Sequence, residues 1–165
     1  MNKEKFTVLN KHIKYCNNFF KEEFLLNLLE KLNQESWKVH RSTSQGGWFF
    51  NFTLTDNKNY KKEISFLSKT LKKKILRVYV NGQCFSQHGD WHQDDGKETY
   101  LVGLTPDWNC EMGGATEFLG NDHTSISVYP VFNRLVIFDA SLNHRALPQF
   151  NLNSFRMTLA IKTSD

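Results

Sequence analysis

Between Phe20 and Leu32 the apolar residues Phe24, Leu25, Leu28, Leu29 and Leu32 recur at helical spacing, while Lys21, Glu22, Glu23, Glu30 and Lys31 fill the other face. Apolar positions three and four apart share one side of a helix, so the segment is predicted to be amphipathic and packed on a core. A second stripe, Tyr60, Ile64, Leu67, Leu71 and Ile75, predicts another helix. Asp56-Asn57 supplies its start signal, and Lys61, Lys62, Lys69, Lys72 and Lys73 lie mostly off the stripe. Gly46-Gly47 break the chain before Trp48 to Leu54, whose aromatic and β-branched content suggests a strand.

After Lys74 the pattern changes to short strands: Leu76 to Val80, Phe85 to Asp94, Thr99 to Leu104, Thr116 to Leu119, Ser125 to Tyr129, Arg134 to Asp139 and Phe155 to Lys162. Turn signals separate them at Asn81-Gly82, Asp95-Gly96, Gly113-Gly114, Gly120-Asn121 and Pro130. Many short strands at this spacing imply a sandwich or barrel. The expected architecture is α+β and mainly β, one domain over residues 1–165, with helical support over about 1–75 and a β core over about 76–165.

Composition narrows the class. A chain of 165 residues can bury roughly 70% of its unfolded surface, enough for a real core. Its 14% aromatic share, with 14 Phe, points to large side chains lining a core or pocket. Cys16, Cys84 and Cys110 make an odd number with no C-x-x-C spacing, which suggests neither a disulfide framework nor a zinc knuckle. The N-terminal lysines Lys3, Lys5, Lys11 and Lys14 flank no apolar signal region. No stretch approaches the ~20 apolar residues that span a bilayer, and a cytoplasmic location is expected. A net charge of +4 falls short of what would by itself announce a nucleic-acid binder.

The chemistry concentrates in Trp91-His92-Gln93-Asp94, with His144 fifty residues on and Arg156 in the closing apolar run. In an extended segment, residues two apart point to the same side, so an H-x-D pair presents imidazole and carboxylate together. One further His completes a facial triad, which leaves the other faces of an octahedral ion open, as non-haem Fe(II) requires when it binds substrate and oxygen. Arg156 would be costly to bury unpaired, and a bound dicarboxylate would resolve that cost. Gly113-Gly114 are expected to serve the backbone rather than catalysis.

From about Ile75 to Lys162 the chain resembles the Fe(II)/2-oxoglutarate dioxygenases of the prolyl-4-hydroxylase-like group, including small phage-type members. The resemblance is carried by His92-Gln93-Asp94-Asp95, Gly113 to Phe118, Arg134 to Phe138, His144 to Pro148 and Arg156 to Ala160, in family order. It implies a double-stranded β-helix, or jelly roll, with His92, Asp94 and His144 as ligands of Fe(II). Arg156 would grip the far carboxylate of 2-oxoglutarate, Thr158 on the same strand face would share it, and Tyr100 would be a further contact to the co-substrate. It also implies consumption of O2, release of succinate and CO2, and ascorbate as an optional reductant. The related halogenases have a small residue in place of this carboxylate, so Asp94 favours hydroxylation over halogenation. The expected substrate is a peptide, an amino acid or a small metabolite, with an aromatic pocket wall drawn from Trp48, Phe49, Phe50, Tyr79, Phe85 and Trp91.

His88-Gly89-Asp90 is a second H-x-D, at a family-like distance from Asn81-Gly82. His92 and Asp94 are preferred because Asp95-Gly96 then turn directly into the next strand. Two rivals stand beside the hydroxylase: an oxidative nucleic-acid demethylase using the lysines of 58–74, and a non-catalytic metal-binding β-barrel module. A solvated helix face accounts for those lysines, and a structural metal site has no need of Arg156. His12, His40 and His123 have no partner spacing.

Overall fold

The computed structural model describes residues 5–41, 48–120 and 124–164. Gly46, Gly47, Asn121 and His123 lie outside the described residues, as do the side chains of His40 and Trp48. The elements run β1 (Thr7–Asn10), β2 (Ile13–Cys16), α1 (Glu22–Leu32), β3 (Lys38–Arg41), β4 (Trp48–Thr53), α2 (Lys61–Leu71) and β5 (Ile75–Gln83). They continue with β6 (Glu98–Gly103), β7 (Thr116–Leu119), β8 (Ser125–Val128), β9 (Leu135–Asp139), β10 (His144–Ala146) and β11 (Arg156–Thr163). A major sheet has the order β1-β2-β9-β6-β11-β5-β4-β3, and a minor sheet the order β10-β7-β8. All neighbours are antiparallel. The two sheets form the double-stranded β-helix that the resemblance implies, within the sandwich or barrel class that the strand spacing predicts.

Alternation along β5 and β11 assigns each face of the major sheet its job. Val78, Val80, Leu159 and Ile161 turn to one side and join Leu25, Leu28, Leu32, Tyr60 and Leu67 of the helical layer in the main core. Burying each such side chain contributes about 1.5–3 kcal/mol. Arg77, Tyr79, Asn81 and Gln83, with Arg156, Thr158 and Lys162, turn to the other side and line a cavity. A smaller core of Ile13, Phe118, Val128, Val136 and Phe138 joins β2 and β9 to the minor sheet.

Several expectations need correction. Ile75 opens β5 instead of closing α2, because Lys72 takes a left-handed conformation that ends the helix and redirects the chain. Asn81-Gly82 is no turn: both residues lie inside β5, where a side chain at position 82 would overlap the Phe155 ring. Phe85 to Asp94 is not a regular strand. It runs beside β10 and pairs with it at a single bridge, His92 with His144. Residues 1–75 supply strands β1 to β4 of the major sheet as well as helices. Among the described residues no helix is long and apolar enough to cross a membrane.

Candidate metal centre and co-substrate pocket

Two separate segments deliver the donor atoms: residues 85–94 carry His92 and Asp94, and β10 carries His144. The bridge locks the two histidines side by side, with His92 N–H donating to His144 O at 3.0 Å and His144 N–H to His92 O at 2.9 Å. Asp94 N–H donates to Ala140 O at 2.8 Å, which fixes the carboxylate two residues further on. The result is a cluster of His92, Asp94 and His144 with one ligand atom from each lying within 4.8 Å of the others. His88 and Asp90 are not part of it. His92 is half exposed, with 51% of its side chain accessible, whereas Asp94 and His144 keep only 5% and 6%. His144 is walled by Phe138 and Phe118, at ring distances of 4.7 and 6.0 Å.

The hydrogen bonds of the two rings fix which nitrogen faces the cluster. His92 Nδ1 lies 2.8 Å from Asp90 O, and His144 Nδ1 lies 2.9 Å from Leu142 O. A carbonyl oxygen can only accept, so each Nδ1 carries a proton, and a ring in its neutral form has its Nε2 lone pair free to face the cluster. These Nε2 atoms stand 3.7 Å from Asp94 Oδ1 and 3.3 Å from Asp94 Oδ2. Two lone pairs and a carboxylate converging on one point form a hollow for a cation, and its nitrogen and oxygen donors suit Fe(II).

Asp94 has its own support. Its Oδ2 accepts from Thr99 Oγ1 at 2.7 Å and pairs with the Lys162 ammonium, which also donates to Thr99 Oγ1 at 3.1 Å. Burial alone would raise the Asp94 pKa, but the His144 ring and the Lys162 ammonium outweigh it and hold the carboxyl well below the usual range. Sequence reasoning missed Thr99 and Lys162. The parity that places Thr158 beside Arg156 also places Lys162 there and could have found it.

Arg156 is 2% exposed. Its Nε donates to Gly114 O at 2.7 Å and its Nη1 to Gln83 Oε1 at 2.5 Å. Gly114 has φ +68°, and a Cβ there would meet Arg156 Cδ at 2.8 Å, so the glycine admits the guanidinium. No carboxylate among the described residues pairs with Arg156, and burial pushes its pKa down to about 10. Thr158 lies on the same strand face, and both residues line the cavity of about 690 Å3 into which the metal donors also open. A buried, unpaired guanidinium with a hydroxyl beside it fits the far carboxylate of a dicarboxylate.

Tyr100 does not join this site. It lies on the opposite face of β6, buried in the main core, with its hydroxyl donating to Glu98 Oε2 at 2.9 Å. Tyr79 is the phenol that faces the cavity. Of the other aromatic residues, Phe49 lines the cavity, Phe50 packs on Phe155, and Phe85 is exposed. Trp91 lies under the Arg145 guanidinium at 4.4 Å.

A mononuclear centre with two His and one carboxylate, set between the sheets of a double-stranded β-helix and next to a buried arginine, is the arrangement of a non-haem iron oxygenase. Residues 74–161 match the model of the 2OG-Fe(II) oxygenase superfamily, and the chain belongs to that superfamily. It is a dioxygenase that uses Fe(II), 2-oxoglutarate and O2. No curated protein matches it.

Solved structures with the same fold include a prolyl hydroxylase from Trichoplax adhaerens in complex with a hypoxia-inducible-factor oxygen degradation domain peptide fragment. It has a TM-score of 0.74 and 16% identity, with 94% of this chain and 84% of that chain covered. A Pseudomonas putida prolyl-4-hydroxylase has a TM-score of 0.73 and 14% identity, covering 93% and 94%. HygX from Streptomyces hygroscopicus, with nickel, 2-oxoglutarate and hygromycin B bound, has a TM-score of 0.70 and 9% identity, covering 91% and 81%. At these identities the likeness is one of fold.

Proposed function

We propose that this dioxygenase hydroxylates an unactivated C–H bond of a peptidyl or free amino-acid side chain, in the manner of a prolyl hydroxylase. The observation that carries the reading is one shared cavity, lined by His92, Asp94 and His144, by Arg156 and Thr158, and by the polar wall of Asn51, Thr53, Tyr79 and Asn81. That wall is partly ordered before any ligand arrives. Asn51 Nδ2 donates to Asn81 Oδ1 at 2.9 Å and Thr53 Oγ1 to Asn51 Oδ1 at 3.2 Å. Amide and hydroxyl groups at fixed positions suit the backbone, amino or carboxylate groups of an amino-acid substrate. The prolyl hydroxylases among the structural neighbours, one holding a peptide, support the same reading.

Bound Fe(II) and 2-oxoglutarate supply the oxidant from O2, with succinate and CO2 as co-products. The chain's own residues do the rest. His92, Asp94 and His144 would hold the metal. Arg156 and Thr158 would bind the distal carboxylate of 2-oxoglutarate from the same cavity that the metal donors line. Phe118 and Phe138 shield His144 from water. The protein thus orients the target and protects the cofactor from side reactions.

A demethylase reading gains nothing from the fold. The lysine-bearing helix α2 covers the core face of the major sheet, and the cavity opens on the other face. The test has two stages. Metal-stripped protein is titrated anaerobically with Fe(II) and then 2-oxoglutarate, and the visible charge-transfer band of the chelate is followed. The band is expected in wild type and in His88→Ala but not in His92→Ala. Peptides and amino acids are then screened for succinate release together with a gain of one oxygen by mass. Oxidation of a methylated single strand, with every peptide and amino acid inert, would sink the amino-acid reading.

A further inference from the structure

Lys162 is the one component of this site that the superfamily reading leaves without a task. Its side chain is 1% exposed, it pairs with Asp94 Oδ2 and it donates to Thr99 Oγ1 at 3.1 Å. Oδ2 thereby receives both the Thr99 hydroxyl and the ammonium and also lies 3.3 Å from His144 Nε2, whereas Oδ1 accepts no hydrogen bond among the described residues and faces His92 Nε2 at 3.7 Å. Oδ2 is already engaged by the ammonium and the hydroxyl, and Oδ1 is the freer of the two oxygens.

We propose that Lys162 is a built-in counter-cation for Asp94, keeping the buried carboxylate neutralised in the metal-free protein and thereby weakening the site's hold on a divalent metal. This rests on the reading of His92, Asp94 and His144 as metal ligands. A carboxylate this deeply buried is costly without a cation. Among the described residues, Lys162 is the one lysine or arginine paired with it; His92 and His144 add charge only when protonated, and Thr99 offers a hydroxyl. When a dication binds, it shares the carboxylate with an ammonium already in contact with Oδ2, and two like charges held by one anion repel across a poorly screened interior. The metal therefore gains less from Asp94 than it would from an unpaired carboxylate.

The competing role predicts the opposite sign. If Lys162 only positioned Asp94, its loss would weaken metal binding by about 10–100-fold, as removal of an orienting partner does at metal sites. The experiment measures Mn(II) affinity by titration calorimetry and the Mn(II)-induced shift in Tm, for wild type, Lys162→Met, Lys162→Arg and His144→Ala, without turnover. Lys162→Met is expected to bind Mn(II) at least about tenfold more tightly than wild type, to melt lower when stripped of metal, and to show a larger Mn(II)-induced rise in Tm. Lys162→Arg, which keeps the charge, is expected to stay near wild type.

Equal or weaker binding by Lys162→Met, with His144→Ala still losing the metal, overturns the proposal alone. Unchanged binding by His144→Ala overturns the ligand reading beneath it. A Lys162→Met chain that folds only when Mn(II) is supplied supports the proposal. One that stays unfolded in saturating Mn(II) overturns it, because the lysine would then serve the fold and not the carboxylate.

Discussion

The two faces of β11 are built from the same strand and are almost equally buried, yet they do opposite things to stability. Leu159 and Ile161 turn to the helices and are fully buried. Arg156, Thr158 and Lys162 turn to the cavity and are nearly as buried. Withdrawing a leucine from water stabilises the fold by about 1.5–3 kcal/mol, whereas withdrawing an arginine without a counter-ion costs free energy. The core face holds the sheet rigid, and the site face spends part of that rigidity on charges waiting for ligands.

The sharpest way to break this comparison is to remove a donor that contributes little to the fold. His92 is half exposed, so His92→Ala is expected to change unfolding stability by less than about 0.5 kcal/mol. Turnover of 2-oxoglutarate should fall by at least about a thousandfold, beyond the ~10–100-fold typical of supporting residues at metal sites. Succinate release and urea unfolding on the same preparation decide it. Residual turnover within tenfold of wild type would remove His92 from the ligand set.

Leu159→Ala makes the reverse test. It opens a cavity on the core face and is expected to cost about 2–5 kcal/mol, read from the urea midpoint. The folded fraction should keep its Mn(II) and 2-oxoglutarate affinities. A matching loss of affinity would mean that the two faces are not separable.

Arg156→Met sharpens the contrast further. Losing charge-assisted bonds to a carboxylate costs about 1.5–3 kcal/mol, so KM for 2-oxoglutarate should rise by roughly 10–150-fold. Stability should hold or improve, since a buried guanidinium with no carboxylate partner is replaced by an apolar chain of similar length. A destabilised variant with unchanged KM would reverse the assignment.

Much of this was legible because the site is made of residue types whose chemistry shows in sequence. Asp94, His144 and Arg156 are expensive to bury without a purpose, the H-x-D spacing sets His92 beside Asp94, and the parity of a strand puts Thr158 beside Arg156. The strand β11 followed from its apolar run, though its two antiparallel partners did not. What could not be read depends on neighbours distant in sequence. Gly82 sits mid-strand because the Phe155 ring crosses over it, and no local pattern distinguishes that from a turn. Residues 85–94 look like a strand by composition but meet β10 at one bridge. The three residues of β10 carry too short a pattern to stand out against the turn before them. A lysine close to the end of a strand reads as solvent-exposed, so Lys162 was passed over although its parity matched that of Arg156.

Tyr100 shows the limit of parity itself. Thr99-Tyr100-Leu101-Val102 has large or apolar residues on both faces, so the sequence does not say which face meets the co-substrate. The structure turns Tyr100 and Val102 to the core, and Thr99 and Leu101 toward the site. Tyr100→Phe therefore removes a hydroxyl that donates to Glu98, a carboxylate also held by Lys73 at 2.8 Å. Its expected cost is about 0.5–1.5 kcal/mol of stability, with KM for 2-oxoglutarate unchanged. Tyr79→Phe, on the cavity face, is expected to leave stability nearly intact and to alter KM for substrate or co-substrate. If instead the Tyr100 variant shifted KM and the Tyr79 variant did not, the parity of the sheet, and with it the separation of the two faces, would have to be reassigned.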